Sequence, residues 1–146
     1  MKILVDADAL PGLIKDILFR AAERIRASLY LIANQKLKVP KSDYLHSIAV
    51  ENGFNAADDK IVEMTEPGDL VITADIPLAA RVFEKEGYVI TPRGRTFTQS
   101  GIKFALMNRN FMDELRNSGV MTLGPAEFTK KDSHAFANAL NRFLNT

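Results

Sequence analysis

The sequence predicts an α/β fold in three layers: a mostly parallel central sheet, helices on both of its faces, and the last helices packed on the same domain. Three observations carry that reading. Strand-like and helix-like segments alternate along most of the chain. The runs Ile3–Val5, Leu29–Ala33 and Leu70–Thr73 are continuously apolar, as strands are when both faces of a parallel sheet are covered. At 146 residues, with 47% hydrophobic and 25% charged residues, the chain suits one domain with a sizeable core. No internal repeat, low-complexity tract or shift in composition marks a boundary, so a single domain over 1–146 is expected.

Each element has its own signal. Lys2 to Val5 is short, apolar and β-branched, hence a buried strand. From Gly12 to Arg26 the apolar positions Ile14, Ile17, Leu18, Ala21, Ala22 and Ile25 recur at helical spacing. SLYLIAN (28–34) is a second strand, and a third is expected near Ile48–Val50, ending at Asn52-Gly53. AADDKIVEM reads as a short helix broken by EPG, and DLVITAD as another buried strand. IPLAARVFEKEG is a helix with Gly87 as its stop, and YVITP a strand closed by Pro92. RGRTFT is a polar, basic loop. Helices are expected over Ile102–Arg116 and Asp132–Leu144, the latter capped by Asp132 or Ser133.

Composition excludes several chemistries. Lys plus Arg is 19 and Asp plus Glu is 18, so net charge alone predicts no polyanion binding; only local clustering can. The absence of cysteine excludes a disulfide scaffold, a thiolate metal site and a thiol nucleophile. His46 and His134 are far apart and are expected at the surface rather than as zinc ligands. No apolar run approaches the roughly 18–20 residues that span a bilayer, and the chain opens on a strand rather than a secretory signal, so the expected location is cytoplasmic.

The opening stretch MKILVDADALPG sets two carboxylates, Asp6 and Asp8, where a hydrophobic strand leaves the core. Like charges this close repel, and burying either is costly unless something neutralises it. Leu29–Ala33 delivers Asn34, and Leu70–Thr73 delivers Asp75. Parallel strands bring such ends to one edge, where open α/β sheets place their ligand crevice. Asp58 and Asp59, at the start of a mid-chain helix, supply a third acidic arm. Carboxylates converging without His or Cys favour a hard cation, Mg²⁺ or Mn²⁺, that keeps waters and binds phosphates.

The segments VDADALP, LIANQ, VPKSDY, GFNAADDKIVE, GDLVITADIPLAARVFEKEGY, TPRGRTFT and NFMDELRNSG resemble the YaiI/YqxD family of uncharacterised bacterial proteins, over nearly the whole chain. That family is placed by fold with PIN/NYN-like nucleases, so the resemblance implies a PIN-like domain. The wider pattern is an aspartate ending the first strand (Asp6), an aspartate before an aliphatic pair (Asp58 or Asp59 before Ile61-Val62), and Thr73-Ala74-Asp75 ending a later strand. By resemblance these imply a Mg²⁺- or Mn²⁺-dependent nuclease, with Asp6, Asp8 and Asp75 catalytic and Asp6, Asp8, Asp58, Asp59 and Asp75 as metal ligands.

Each residue has a plainer role to set beside this. Asp8 suits an N-cap before Pro11-Gly12, Asp75 a cap for the Ile76 helix, and Asp69 a turn. Thr73 is expected to support the carboxylates or meet a substrate phosphate. Asn34, Lys36, Arg93 and Arg95 follow strand ends and are expected to rim the crevice and bind phosphate. Arg93 leads, because Pro92 and Gly94 constrain its loop; Lys38 and Lys41 are expected mainly to solvate the surface. The expected partner is nucleic acid, single-stranded RNA foremost, and the stretch around Phe104, Phe111 and Leu115 is expected to be core or a homodimer face. Two rival functions remain: a haloacid-dehalogenase-type phosphatase with Asp6 as nucleophile, since VDADA resembles that superfamily's first motif, and a non-catalytic metal- or RNA-binding module.

Overall fold

The computed structural model describes residues 1–8, 10–51, 53, 55–117 and 127–145, with side chains outside 109–117. Five strands, β1 (Ile3–Asp6), β2 (Leu29–Ala33), β3 (Leu45–Ala49), β4 (Leu70–Ile72) and β5 (Tyr88–Ile90), form one sheet in the order β3-β2-β1-β4-β5, and every neighbouring pair is parallel. An antiparallel bridge between Ile90 and Thr96 folds the chain back after β5. The helices are α1 (Gly12–Ile25), α2 (Ala56–Met64), α3 (Ile76–Glu84), α4 (Gln99–Asn117) and α5 (Lys130–Leu144). Among the described residues no helix is long and apolar enough to cross a membrane.

The strand pleat sorts side chains into two cores. Ile3 and Val5, Leu29 and Leu31, and Leu70 and Ile72 point to one face, where Ile14, Leu18, Ala21 and Ala22 of α1 and Phe136, Ala139 and Leu140 of α5 cover them. Leu4, Ile32, Val71 and Val89 point to the other, under Ala57 and Ile61 of α2, Leu78, Ala79 and Val82 of α3 and Ile102 of α4. Successive strand residues face opposite sides. A strand covered on both sides therefore has no polar position, which is why these segments read as unbroken apolar runs. The expected three-layer architecture is the observed one.

The chain steps outward from β1 through β2 to β3, then returns to β4 on the other side of β1. The carboxyl ends of β1 and β4 thus flank the point where connections diverge in opposite directions, and a crevice opens there.

Several local expectations need correction. The third strand begins at Leu45, earlier than expected: its pairing to β2 starts at Leu29↔Leu45, and β2's own burial fixes that register. Helix α3 ends at Glu84 and the chain turns at left-handed Glu86 (φ 62°), so Gly87 follows the stop rather than making it. Gly87 is required for space instead, since a Cβ there would lie 2.7 Å from Val82 Cγ1 and 3.0 Å from Thr65 Cγ2. The cap of α5 is Thr129, whose hydroxyl accepts the Asp132 N–H while the Asp132 carboxylate accepts the Thr129 N–H, a reciprocal capping box. Phe104 is 73% exposed, so it is not core, while the side chains of Phe111 and Leu115 lie outside the described residues.

Asp69 serves the opposite end of the sheet, as expected of a turn residue. Its carboxylate accepts the N–H groups of Lys2 and Glu66 and pairs with the Lys2 ammonium, tying β1 to the turn before β4. Burial pushes its acidity one way, but those bonds and the Lys2 charge prevail and hold it below the usual carboxylate range.

Candidate functional site

The pleat that builds the cores also aims the acids. Asp6 follows Val5 and so shares the face of Leu4, toward α2 and α3; Thr73 follows Ile72 and shares the face of Val71. Val5 pairs with Ile72, which makes Asp6 and Thr73 the next neighbours across the switch point. The Thr73 hydroxyl, 2% exposed, donates to Asp6 Oδ2 at 2.8 Å and accepts the Asp75 N–H at 3.0 Å. It therefore supports the carboxylates rather than reaching out to a phosphate.

Asp75 caps α3: its Oδ1 accepts the Leu78 N–H at 3.1 Å, and Pro77 sits in the first turn. Asp8 is not the cap of α1. The residue at that position is Pro11, with no side-chain cap bond, and Asp8 Oδ1 instead accepts the Asn34 N–H at 2.9 Å. That bond ties the carboxyl end of β1 to that of β2, and it uses the backbone of Asn34 while leaving its side chain exposed.

The structure separates Asp58 from Asp59. Asp59 is bonded to Arg81 of α3 at 2.9 Å, outside the crevice. Asp58 is half-buried, and burial first, then the charges of Asp75 and Asp6, push its pKa up to about 6 against the Arg81 charge. Burial likewise raises Asp6, against the help of the Thr73 hydroxyl, and Asp75 and Asp8 add to the rise. The charges of Asp75 and Asp8 thus act on Asp6, and those of Asp75 and Asp6 on Asp58, so four carboxylates are linked at one edge of the sheet.

This repulsion has a measurable consequence. A carboxyl raised from 3.8 to about 6 keeps its proton in the folded chain where the unfolded chain has lost it. Stability is therefore expected to fall as pH rises through that window and to level off above it. Asp58→Asn should flatten the fall and, in chelator at neutral pH, gain on the order of 1 kcal/mol after allowance for solvent screening. Urea melts of both proteins across the window check this; parallel curves would show that Asp58 carries no such strain.

The basic residues divide. Arg93 Nη1 bonds Asp132 Oδ2 at 2.9 Å, and its guanidinium carbon lies 5.7 Å from the Phe128 ring. The expected phosphate clamp is thus engaged in fastening the loop after β5 to the first turn of α5. Arg93→Ala is accordingly expected to cost about 1 kcal/mol in thermal stability, and a double-mutant cycle with Asp132→Ala should show coupling. Arg95 lies over Phe97 at 4.8 Å, and among the described residues no carboxylate pairs with it. Lys36 is exposed beside a different cavity, bounded by Lys38, Leu45 and His46 at the β3 edge, with none of the four carboxylates in its wall. His46 stacks on Tyr30, and His134 is exposed on α5.

Sequence reasoning passed over Arg81, Phe97 and Phe128. The RTF triplet hints at an arginine–aromatic pair, whereas nothing local links Arg93 to Phe128 or Asp132, or Arg81 to Asp59.

The donors suit a hard cation, since all are carboxylate oxygens whose mutual repulsion a cation relieves. Among the described residues, however, no three His, Asp or Glu side chains form a group able to hold an ion. The arrangement fits an ion held by one or two carboxylates that keeps most of its waters, not a caged one.

Fold and site together define a doubly wound α/β protein with an acidic cluster at its switch point. The chain belongs to the YaiI/YqxD family: the model of that family, described as "Uncharacterized BCR, YaiI/YqxD family", matches residues 4–146. It is similar to a UPF0178 protein of Alkalilimnicola ehrlichii, 56% identical over 144 residues that span 99% of this chain and 97% of that one. A UPF0178 protein of Hahella chejuensis is 54% identical over 99% of this chain and 96% of its own length, and one of Shewanella woodyi 50% over 99% and 95%. No solved structure gave a significant match.

Proposed function

We propose that this protein is a PIN-like, Mg²⁺- or Mn²⁺-dependent nuclease that hydrolyses phosphodiester bonds of single-stranded nucleic acid at the carboxyl ends of β1 and β4. The observation that carries the reading is the Thr73 hydroxyl, just past β4, holding Asp6 of β1 across the switch point, with the charges of Asp6 and Asp75 acting on Asp58. Stability alone does not call for this arrangement, because acids pressed together in a half-buried crevice destabilise the fold.

Asp6 and Asp75 would hold the cation, which would keep most of its waters, with Asp58 beside them and Asp8 at the crevice mouth. A cation bound there would supply charge for the transition state and would lower the pKa of a water it held. Thr73 fixes the Asp6 carboxylate in one orientation, and Asp75 is fixed by its own cap bond to Leu78, so neither has to be ordered when substrate arrives. Asp58, whose pKa burial and the neighbouring carboxylates raise to about 6, is suited to accept a proton from an attacking water.

The test is cleavage of end-labelled single-stranded RNA and DNA by the purified protein with Mg²⁺, with Mn²⁺ and with chelator. Metal-dependent cleavage supports the reading; intact strands under all metal conditions overturn it. Trapping of beryllofluoride on Asp6 would instead favour phosphomonoester chemistry through an aspartyl-phosphate.

A further inference from the structure

Next to the acidic edge lies a second concavity of about 590 Å³, within the range of small-molecule sites, roughly 300–1,000 Å³. Ala74 and Ile76, the two neighbours of Asp75, form part of its wall, so it opens directly beside the carboxylates. Thr91, at the end of β5, is another part of the wall, and Phe97 and Phe128 face it from opposite layers. Phe97 packs on the α2–α3 core and Phe128 on the α1–α5 core. Arg95 stands on the Phe97 ring.

Resting on the nuclease reading above, we propose that this groove is a nucleotide subsite that takes one unpaired base of a single strand, with the adjoining phosphate on Arg95. The chemistry matches on each count. The walls are largely apolar and aromatic, with Arg93, ion-paired to Asp132, as a second cation beside Arg95, which suits the flat face of a base next to a phosphate. A guanidinium on an aromatic ring is a planar stack that a base can extend, and its outer edge still offers N–H donors to phosphate. The charge is complementary as well. The carboxylate edge repels a polyanion, and a neutral base drawn into an apolar groove, with a cation beside it, offsets that repulsion where the strand must pass. A base stacked and paired in a duplex cannot enter, so the groove selects single strands.

Binding is measured by fluorescence anisotropy in chelator, so that the outcome does not depend on cleavage. The probes are a short labelled single strand, an abasic strand of the same length, and the duplex. The base-bearing single strand is expected to bind best. Phe97→Leu keeps apolar volume but removes the ring, and should weaken that binding about 5- to 100-fold while leaving the abasic strand unaffected. Arg95→Gln should weaken both strands and lower the salt dependence by about one phosphate contact. Thermal melts check that both variants fold, and Phe128→Leu gives an independent reading from the other wall. A wild type that binds the abasic strand or the duplex as tightly as the base-bearing strand overturns the proposal, as do ring variants that bind like wild type. Ring-dependent binding without metal-dependent cleavage would keep the subsite and remove the nuclease.

Discussion

Asp6→Asn is expected to lower metal-dependent cleavage of a single strand by at least about 10²–10³-fold while leaving the protein as stable as wild type, or more so, in chelator. Asparagine keeps an oxygen that can accept the Thr73 hydroxyl, so the tie between β1 and β4 survives. What is lost is one negative charge, on a group whose pKa burial and then the Asp75 and Asp8 charges raise. Losing it relieves repulsion in the absence of a cation and would remove a ligand of the proposed cation in its presence. The two readouts should therefore move in opposite directions: activity down, melting temperature in chelator level or up. A mutant that cuts at the wild-type rate would show that Asp6 is no part of the chemistry. A mutant that is inactive because it unfolds would show that the carboxylate is structural.

The largest loss of stability is expected from Gly94→Ala, well away from the acids. Gly94 has φ +86°, and a Cβ there would lie 2.5 Å from the Ala135 carbonyl carbon and oxygen and 2.8 Å from the Phe136 nitrogen. These are backbone atoms of α5, which cannot swing aside as a side chain can. The turn itself is rigid: the Gly94 N–H bonds the Thr91 carbonyl, and the Thr91 N–H bonds the Arg95 carbonyl, each at 2.9 Å. The strained φ costs about 1 kcal/mol and the overlap about 1–3 more, so a loss of roughly 3 kcal/mol and close to 10 °C in melting temperature is expected. A melt within about a degree of wild type would mean that α5 does not rest on this turn. Gly94 is thus needed for the close approach of this turn to the α5 backbone.

These two residues mark what the sequence makes legible and what it hides. Asp6 stands out because it ends an apolar run, and the pattern of such runs dictates a parallel sheet with its carboxyl ends together; Asp75 follows by the same logic. β1, β2 and β4 are legible for that reason, since burial on both faces leaves a plain apolar signature, whereas the helices are legible by their spacing and the less buried β3 reads as starting too late. Asp58 and Asp59 are not separable in sequence. Both lie in a first turn, about 100° apart on the helix, and only Arg81, on the next helix, claims one of them. Arg93 is hidden more deeply: its partner Asp132 lies 39 positions further on and doubles as the capping acid of α5. Charge pairs across elements leave no periodic trace, so a loop arginine looks equally fit for phosphate or carboxylate. The same holds for the groove, whose aromatic walls come from stretches that only the completed fold brings together.

The placement of α5 bears on how the chain is made. Phe136, fully buried, shares a core with Ile3, Val5, Ile14 and Leu18, residues that leave the ribosome more than a hundred positions earlier. The face roofed by α2, α3 and Ile102 of α4 can close once β4, β5 and the first turn of α4 have been made. The face beneath α1 stays half open until α5 has been synthesised, leaving an apolar strip of parallel strands in contact with water. Long-range closure of this kind is slow, and such intermediates are prone to self-association. A nascent chain stalled short of Lys130 should thus be a chaperone client with a formed sheet edge and an unroofed core, and release from that state coincides with the docking of one phenylalanine.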